Sequence, residues 1–329
     1  MIETLKVQNY KSLKNVEIPL KPLTVLVGPN AAGKSNILDC LSFISEMVTH
    51  PNATIFAEQS EKKRGPYKDI VWGGKQEDLV SLSCNWRSTQ KAEQSFAYEL
   101  VIRGPWPDSA PLEIVEEALS AHSDRGNIIL RHKDATVSLE EGILAKIIDG
   151  LPPFTSLLNW ASAKAPMMQS VHNILAGWAF YDFVTQSMRQ PQAVAKQTHL
   201  RADGSNIATL LHWIFSEERK IFSQVEEHLK AAIPEVDELM SPLTEDGKTY
   251  VAWREKDIPG RIPAWNMSEG SVRLVAILLG LLVPQPPPLV TFENPDLHLH
   301  AHLMQYLSEI LKAGSRHSQI IITTHSPYL

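Results

Sequence analysis

The chain has 329 residues and a formal net charge of −6, with enough apolar residues to build a core. This length allows one large domain or two modest ones, and the negative charge argues against a uniformly basic nucleic-acid-binding protein. Cys40 and Cys84 are the only cysteines, so we expect a reducing, cytoplasmic environment and no disulfide framework. The longest apolar run, around Leu274–Val283, is too short to cross a bilayer, so we expect no membrane association.

Three strands are predicted before residue 28. Apolar and polar side chains alternate over residues 2–8, and a second strand is predicted over residues 15–20, after a turn at Asn9–Leu13. Leu23–Val27 is a short run of apolar and β-branched residues, which predicts a buried strand.

The stretch after the third strand has the form G-x-x-x-x-G-K-S and predicts a phosphate-binding loop, the P-loop. Gly28 and Gly33 permit backbone turns that a side chain would block, so that successive N–H groups face the phosphates. Lys34 is expected to reach the β- and γ-phosphates, and the Ser35 hydroxyl is expected to ligate Mg²⁺. A helix is predicted to follow directly, over 36–44. The predicted nucleotide-binding residues here are Gly28, Pro29, Asn30, Ala31, Ala32, Gly33, Lys34, Ser35 and Asn36.

The middle of the chain predicts a strand-rich region followed by short helices. Residues 50–75 are polar and predict a surface loop, in which the basic triplet Lys62–Arg64 is expected to be a solvated turn rather than an anion contact. Alternating patterns predict strands over 78–87, 95–103, 113–122 and 127–139, with a turn at 124–126. Short helices are predicted over 144–148, 157–160 and 171–180.

A second helical region is predicted after residue 195. Ser205 or Asn206 is expected to cap a helix over 207–215, and a charged helix follows over 217–231. We expect residues 195–238 to form a helical lid. This segment is too short to be a long coiled-coil arm, and it lacks sustained heptads.

The run from Val7 to Leu38 resembles the N-terminus of RecF/SMC-like ABC-type ATPases. Those proteins begin with two strands carrying an aromatic-basic pair and continue into a P-loop of the form GPNGAGKSN, where this chain has Ala32 in place of a glycine. The resemblance implies an α/β fold, namely an ABC-type P-loop ATPase head with a mixed sheet, an antiparallel β-subdomain and a helical lid. It also implies ATP and Mg²⁺ as cofactors and places Lys11 and Ser12 near the nucleotide. A solvated loop lysine is the alternative for Lys11.

The end of the chain carries further motifs in the order of that family. Ser268, Gly270 and Arg273 fit S-x-G-x-x-R, which resembles a degenerate signature motif at the start of a helix. In the family the signature serine and glycine donate hydrogen bonds to the γ-phosphate held by the opposite protomer, so the site is complete only in a dimer. The strand over 288–293 ends in Glu293, at the Walker B position, where the resemblance implies a carboxylate that holds Mg²⁺.

Two further family motifs have counterparts in this chain. The strand over 319–324 is followed by His325, which matches the switch histidine that contacts the γ-phosphate. The family also has a Q-loop glutamine near Mg²⁺, for which Gln186 and Gln190 are candidates by location alone.

The residue after Glu293 departs from the family pattern. Most ABC-type ATPases have a glutamate there that polarises the attacking water, whereas this chain has Asn294, whose amide cannot accept a proton as a carboxylate can. We therefore expect slow hydrolysis, or a base supplied by Asp296 or His325. The nearby His298, His300 and His302 lack the spacing of a zinc site with a clear fourth ligand.

Two functions stay open from the sequence. The first is an ATP-binding, slowly hydrolysing ATPase that forms a head-to-head homodimer on ATP, in a family associated with DNA maintenance and antiphage defence. The second is a nucleotide-gated interaction module with little hydrolysis that recruits a nuclease or toxin partner. DNA is a further candidate partner, although the basic residues are scattered rather than clustered. The chain is predicted to divide into lobe I (1–195), the lid (196–265) and lobe II (266–329). Relatives usually continue beyond the end of lobe II.

Overall fold

The computed structural model describes residues 1–50, 60–75, 77–87, 95–104, 112–123, 126–133, 136–141, 144–147, 156–163, 166–327 and 329. The described chain forms two compact units. The first consists of Met1–Lys21 and Asn30–Trp178, and the second of Pro22–Pro29 and Ala179–Leu329. The chain therefore passes from the second unit into the first inside the predicted P-loop.

The first unit is built on an antiparallel sheet of eight strands in the order β2-β1-β4-β5-β6-β7-β8-β9. The strands are β1 (Ile2–Tyr10), β2 (Leu13–Pro19), β4 (Val80–Arg87), β5 (Ser95–Arg103), β6 (Glu113–Ser123), β7 (Gly126–Lys133), β8 (Thr136–Glu141) and β9 (Leu144–Ile147). Burial alternates along β4, with Val80, Leu82 and Cys84 inside, in agreement with the alternating apolar and polar residues that predicted this strand. Of the predicted turn at 124–126, residues 124 and 125 lie outside the described residues.

One predicted helix of this unit is wrong. Residues 144–147 form β9, which pairs antiparallel with β8 and places Leu144 opposite Glu141. A four-residue run forms too few helical hydrogen bonds to offset the cost of helix nucleation. Pairing with a neighbouring strand instead supplies hydrogen-bond partners for its backbone groups.

The helices of the first unit are α1 (Lys34–Thr49), α2 (60–64), α3 (Tyr67–Ile70), α4 (Leu157–Ser162) and α5 (Pro166–Ala176). The predicted helix after the P-loop is confirmed, and its apolar face is buried at Leu41, Ile44 and Val48. The helix predicted over 171–180 runs too far, because α5 ends at Ala176 and Ala179 starts a strand of the second unit. The loop predicted over 50–75 is wrong where it is described, since α2, α3 and a 3-10 turn at Trp72–Gly74 occupy it.

The second unit is built on a parallel sheet of four strands in the order β10-β16-β17-β3. Its strands are β3 (Leu23–Val27), β10 (Ala179–Tyr181), β16 (Leu289–Glu293) and β17 (Gln319–Thr324). Smaller antiparallel sheets consist of β11 (Gln192–Ala193) with β13 (Lys248–Thr249), and of β12 (Val236–Met240), β14 (Ala252–Glu255) and β15 (Ile258–Pro263). Both β16 and β17 are almost wholly buried, as expected for parallel strands covered on two faces.

The helices of the second unit are α6 (Thr185–Met188), α7 (Ile207–Glu217), α8 (Arg219–Ala232), α9 (Glu269–Leu281) and α10 (Leu303–Gly314). The predicted pair α7 and α8 buries Leu210, Ile214, Val225 and Leu229 in the same core as the parallel strands. The predicted cap of α7 is only half right: Asn206 takes the N-cap position, but its Oδ1 accepts from the N–H of Arg201 instead of capping the helix.

The segments predicted from the sequence divide the chain differently from the compact units. Residues 196–265 lie within the second unit, and their role as a lid stays a prediction. Among the residues that the structure describes, no helix is both long enough and apolar enough to span a bilayer.

Candidate functional site

Three predicted site motifs begin at one edge of the parallel sheet. In β16 and β17, Glu293 lies opposite Thr323, and in β17 and β3, Thr324 lies opposite Val27. Because the strands are parallel, their carboxyl ends meet at the same edge, which is where ligands bind in open α/β sheets. Gly28 and His325 follow these strands directly, so the start of the P-loop, the Walker B carboxylate and the switch histidine all emerge there.

The P-loop has the backbone of an anion-binding loop. Ala31 and Gly33 have φ angles of +62° and +90°, and Gly33 is followed by helical Lys34. A left-handed residue next to a right-handed one turns successive N–H groups towards one point, where an anion can bind. Ala31 is not a glycine, so its left-handed conformation costs about 1–2 kcal/mol. Strain of this kind is characteristic of functional loops.

Gly33 lies against the turn between β1 and β2. A Cβ atom on Gly33 would lie 3.0 Å from both Ser12 Oγ and Leu13 Cδ2. Ser12 Oγ also accepts a hydrogen bond of 2.8 Å from Asn36 Nδ2, on the first turn of α1. The sequence predicted Ser12 beside the nucleotide site, and the structure places it in contact with the P-loop and its helix.

Lys11 makes an ion pair with the P-loop helix. Its Nζ lies 2.6 Å from Asp39 Oδ2, and the Tyr10 hydroxyl donates to the same oxygen at 2.7 Å. The backbone of Lys11 is left-handed, with φ of +49°. In this structure Lys11 is not the solvated loop lysine of the alternative interpretation, and its contact with a nucleotide stays a prediction.

A buried arginine on α2 completes this cluster, and the expectation of a solvated basic triplet is wrong for Arg64. Its side chain is 1% exposed, with Nε 2.8 Å from Asp39 Oδ1 and Nη1 2.7 Å from Glu46 Oε2. Burial alone would raise the pKa of both carboxyl groups. The guanidinium acts with Lys11 and the Tyr10 hydroxyl to lower the pKa of Asp39 in spite of burial. Together with Lys63 and the Ser42 hydroxyl, it brings the pKa of Glu46 to about 2. Asp39 and Glu46 are the only acidic residues of α1, and they were the available signal for a buried cation.

The predicted signature motif opens a helix with a well-defined cap. Ser268 is the N-cap of α9, and its Oγ accepts from the N–H of Ser271 at 3.1 Å. The loop that follows Walker B packs against this helix start. Glu269 Oε2 lies 3.1 Å from His298 Nε2, and a Cβ atom on Gly270 would lie 2.3 Å from the His298 carbonyl oxygen. Gly270 is therefore needed for a close backbone approach, independently of any ligand.

Arg273 points into the second unit. It is 3% exposed, its Nη2 donates to the Phe183 carbonyl oxygen at 3.3 Å, and burial lowers the pKa of its guanidinium. The structure does not bring this residue to the surface beside Ser268, so its predicted nucleotide contact stays a prediction. Gln186 lies exposed on α6, and its role as the Q-loop glutamine stays a prediction.

Asn294 holds the ends of β16 and β17 together. Its N–H donates to the carbonyl oxygen and to Oγ1 of Thr323, each at 3.1 Å, and its φ is +45°. Asn is one of the few residues that adopt this left-handed conformation readily, whereas a glutamate is disfavoured there. The departure from the family pattern at this position therefore has a local conformational reason.

Two of the three histidines of this loop contact each other. His300 Nδ1 and His302 Nδ1 lie 2.7 Å apart, and no group of three or more His, Cys, Asp or Glu residues that could hold a metal occurs among the described residues. Mg²⁺ needs no such group, because it usually keeps water and phosphate oxygens and takes one or two protein ligands. A hydroxyl and a carboxylate, as on Ser35 and Glu293, are oxygen donors of that kind.

Comparisons with known proteins identify the family of the chain. The family model described as "AAA domain, putative AbiEii toxin, Type IV TA system" matches residues 23–329. The Retron Vc95 probable ATPase of Vibrio cholerae is 20% identical over 382 aligned positions, which cover 99% of this chain and 70% of the relative. The OLD nuclease of Thermus scotoductus is 43% identical over 44 residues, or 13% of this chain and only 8% of the nuclease.

The fold is that of an SMC head. A crystal structure of an SMC head bound to the C-winged helix domain of ScpA superposes with a TM-score of 0.62 at 14% identity, covering 99% of this chain and 90% of that one. The predicted α/β ATPase-head fold is thereby confirmed. The chain belongs to the family described as "AAA domain, putative AbiEii toxin, Type IV TA system", and it is similar to ABC-type ATPases of the RecF/SMC-like group.

Proposed function

We propose that the chain binds ATP with Mg²⁺ through its P-loop and hydrolyses it slowly, as a switch that forms a head-to-head dimer. The observation that carries this proposal is the alignment of Gly28, Glu293 and His325 at the carboxyl ends of three adjacent parallel strands. Each motif alone is weak, but a phosphate loop, a carboxylate and a histidine at one sheet edge are the parts that phosphoryl transfer requires.

The chain's own residues supply positioning and charge. The P-loop N–H groups and Lys34 neutralise the β- and γ-phosphates, and His325 contacts the γ-phosphate. Ser35 and Glu293 would hold Mg²⁺, which supplies charge neutralisation and orients the phosphates when it is bound. Gln186 is the candidate for the Q-loop glutamine, on its location alone.

The signature helix supports the dimer part of the proposal. Ser268 is exposed at the N-terminus of a 13-residue helix, where unpaired N–H groups and the helix dipole attract an anion. Together with Gly270, it would bind the γ-phosphate held by a second copy of the chain. ATP would then join the two copies.

A second function is favoured by Asn294, which lacks the carboxylate of the family. In that case the ATP-bound dimer persists and recruits a partner protein, such as a nuclease or a toxin. The SMC head bound to a ScpA domain is a precedent for a partner on this fold, and the OLD nuclease suggests a nuclease. The family description and the retron ATPase favour antiphage defence over DNA maintenance, and DNA itself stays a candidate ligand.

Light scattering with and without ATP and Mg²⁺, combined with phosphate release, tests these proposals. An ATP-dependent dimer with slow release supports the switch, a stable dimer without release supports the interaction module, and a monomer under all conditions contradicts both. Lys34→Ala, which removes phosphate binding, and Ser268→Arg, which blocks the signature, should each abolish activity. An equimolar mixture of the two variants should recover activity, because one heterodimer site contains an intact P-loop and an intact signature.

A further inference from the structure

The loop after β16 contains two buried side-chain oxygens that have no hydrogen-bond partner. They are Asn294 Oδ1 and Asp296 Oδ1, each with no partner among the described residues. The two residues belong to one tight turn, which the Leu297 N–H closes on the Asn294 carbonyl oxygen at 3.1 Å. A buried acceptor without a partner costs about 1–3 kcal/mol and in native structures usually meets a donor from a water or a ligand.

Both oxygens belong to residues that are held in place. The Asn294 backbone is fixed by two hydrogen bonds to Thr323. The Thr324 hydroxyl donates to Asp296 Oδ2 at 2.8 Å and accepts from the Ser326 N–H at 2.9 Å. Since a hydroxyl has one proton to donate, Thr324 fixes one carboxylate oxygen and leaves Oδ1 as the available acceptor.

We propose that Asp296 is the general base of ATP hydrolysis and that Asn294 orients the attacking water. This inference rests on the proposed ATPase function. The water donates one O–H to Asn294 Oδ1 and the other to Asp296 Oδ1. Its oxygen bonds to the γ-phosphorus while the bond from that phosphorus to the β,γ-bridging oxygen breaks. ADP leaves with the electron pair, Asp296 takes the proton from the water, and this proton then passes to solvent.

This assignment explains why the family's glutamate can be absent. The carboxylate lies two residues further along the same loop, and Asn294 keeps an acceptor oxygen on a backbone that disfavours glutamate. Arg273 interacts electrostatically with Asp296. His325 is a weaker candidate, because its exposed side chain has no hydrogen bond that fixes it among the described residues.

Single-turnover phosphate release, with ATP affinity measured separately, tests the assignment. Asp296→Asn should bind ATP within threefold of the wild type and hydrolyse it about 100-fold more slowly, since general bases contribute about 10²–10⁴. Asp296→Glu should recover part of the rate, and formate should accelerate Asp296→Ala. Thr324→Val should lower the rate less than Asp296→Asn. The control Asp246→Asn changes an exposed carboxylate and should leave both quantities unchanged.

The outcomes separate this inference from the proposed function. A wild type that fails to bind ATP overturns both. Hydrolysis by Asp296→Asn at the wild-type rate, with Lys34→Ala inactive, overturns only the base assignment. A rate loss that neither glutamate nor formate relieves shows that Asp296 has a structural role only. Thermal unfolding of each variant identifies any that lose the fold. If Asp296→Asn does not fold, the hydrolysis rate of Asp296→Glu decides whether Asp296 is the general base.

Discussion

The carbonyl oxygen of His298 fills the space beside Gly270, where any side chain would begin only 2.3 Å away. The loop after Walker B is thereby fixed to the first turn of the signature helix, and the pair of Glu269 with His298 reinforces the contact at 3.1 Å. Two elements that are distant in the sequence and belong to different motifs are thus held together by backbone contact.

Gly270→Ala should therefore displace this loop. We expect a loss of about 1–3 kcal/mol in the free energy of unfolding, because the obstructing atom is backbone and cannot rotate away. Urea denaturation measures this loss. Gly314→Ala is the matched control, since its Cβ would meet only side-chain tips of Ile320 and Leu281, at 3.2 Å. Equal losses in the two variants would contradict the prediction.

Gly33→Ala should weaken ATP binding by tenfold or more. The substitution combines a φ of +90° with contacts of 3.0 Å to Ser12 and Leu13, so the P-loop must shift. Gly73→Ala is the control, because Gly73 is also left-handed, with φ of +68°, but a Cβ there meets no atom within 4 Å. Calorimetric titration with ATP should show reduced affinity for the first variant only. If the two variants bind ATP with similar affinity, the steric contacts at Gly33 do not weaken binding.

Arg64→Met should destabilise the first unit strongly. Removal of the guanidinium leaves Asp39 and Glu46 without their buried cation, for which we expect a cost of roughly 3 kcal/mol. Chemical denaturation at neutral pH measures the change. Lys62→Met, at an exposed position of the same helix, should be nearly neutral. If the two variants unfold at the same urea concentration, the ion cluster contributes nothing to stability.

The same cluster should make stability depend on pH. The pKa of Glu46 is about 2 in the folded chain against an ordinary 4.5, so the unfolded chain binds more protons between these values. Stability from this group is fully present above about pH 5 and is lost as the pH falls towards 2, and Asp39 acts in the same direction. Urea unfolding between pH 3 and 7 should show a steeper acid loss for the wild type than for Glu46→Gln. If the stability of both proteins falls equally with pH, Glu46 is not the origin of the acid loss.

Local patterns explain what the sequence could predict. The strand, glycine loop and helix around Lys34 follow from composition within about 20 residues, and the motif order then identified the family. The wrong predictions concern segments whose partners lie outside the local pattern. Residues 144–147 become a strand because β8 is available to pair with, and Arg64 is buried because Asp39 and Glu46 face it.

The parts of the candidate site that depend on non-local contacts could not be predicted from the sequence either. A sequence cannot show that Gly270 meets the His298 carbonyl. Nor can it show that Thr324 binds one oxygen of Asp296 and that the other has no partner in the described part of the chain. It could show only that Asn294 departs from the family pattern, and the left-handed backbone gives the reason.

The pairing of β3 with β17 has a consequence for synthesis of the chain on the ribosome. Leu23–Val27 joins its parallel sheet by pairing with Gln319–Thr324, which is translated much later than β3. At about 5–20 residues per second, β3 waits roughly 15–60 s for its neighbour. The strand that leads into the P-loop therefore cannot pair with its neighbour until β17 has been translated. Nascent chains that stop before β17 should expose β3 to chaperones, and they should gain ATP affinity only once β17 is present.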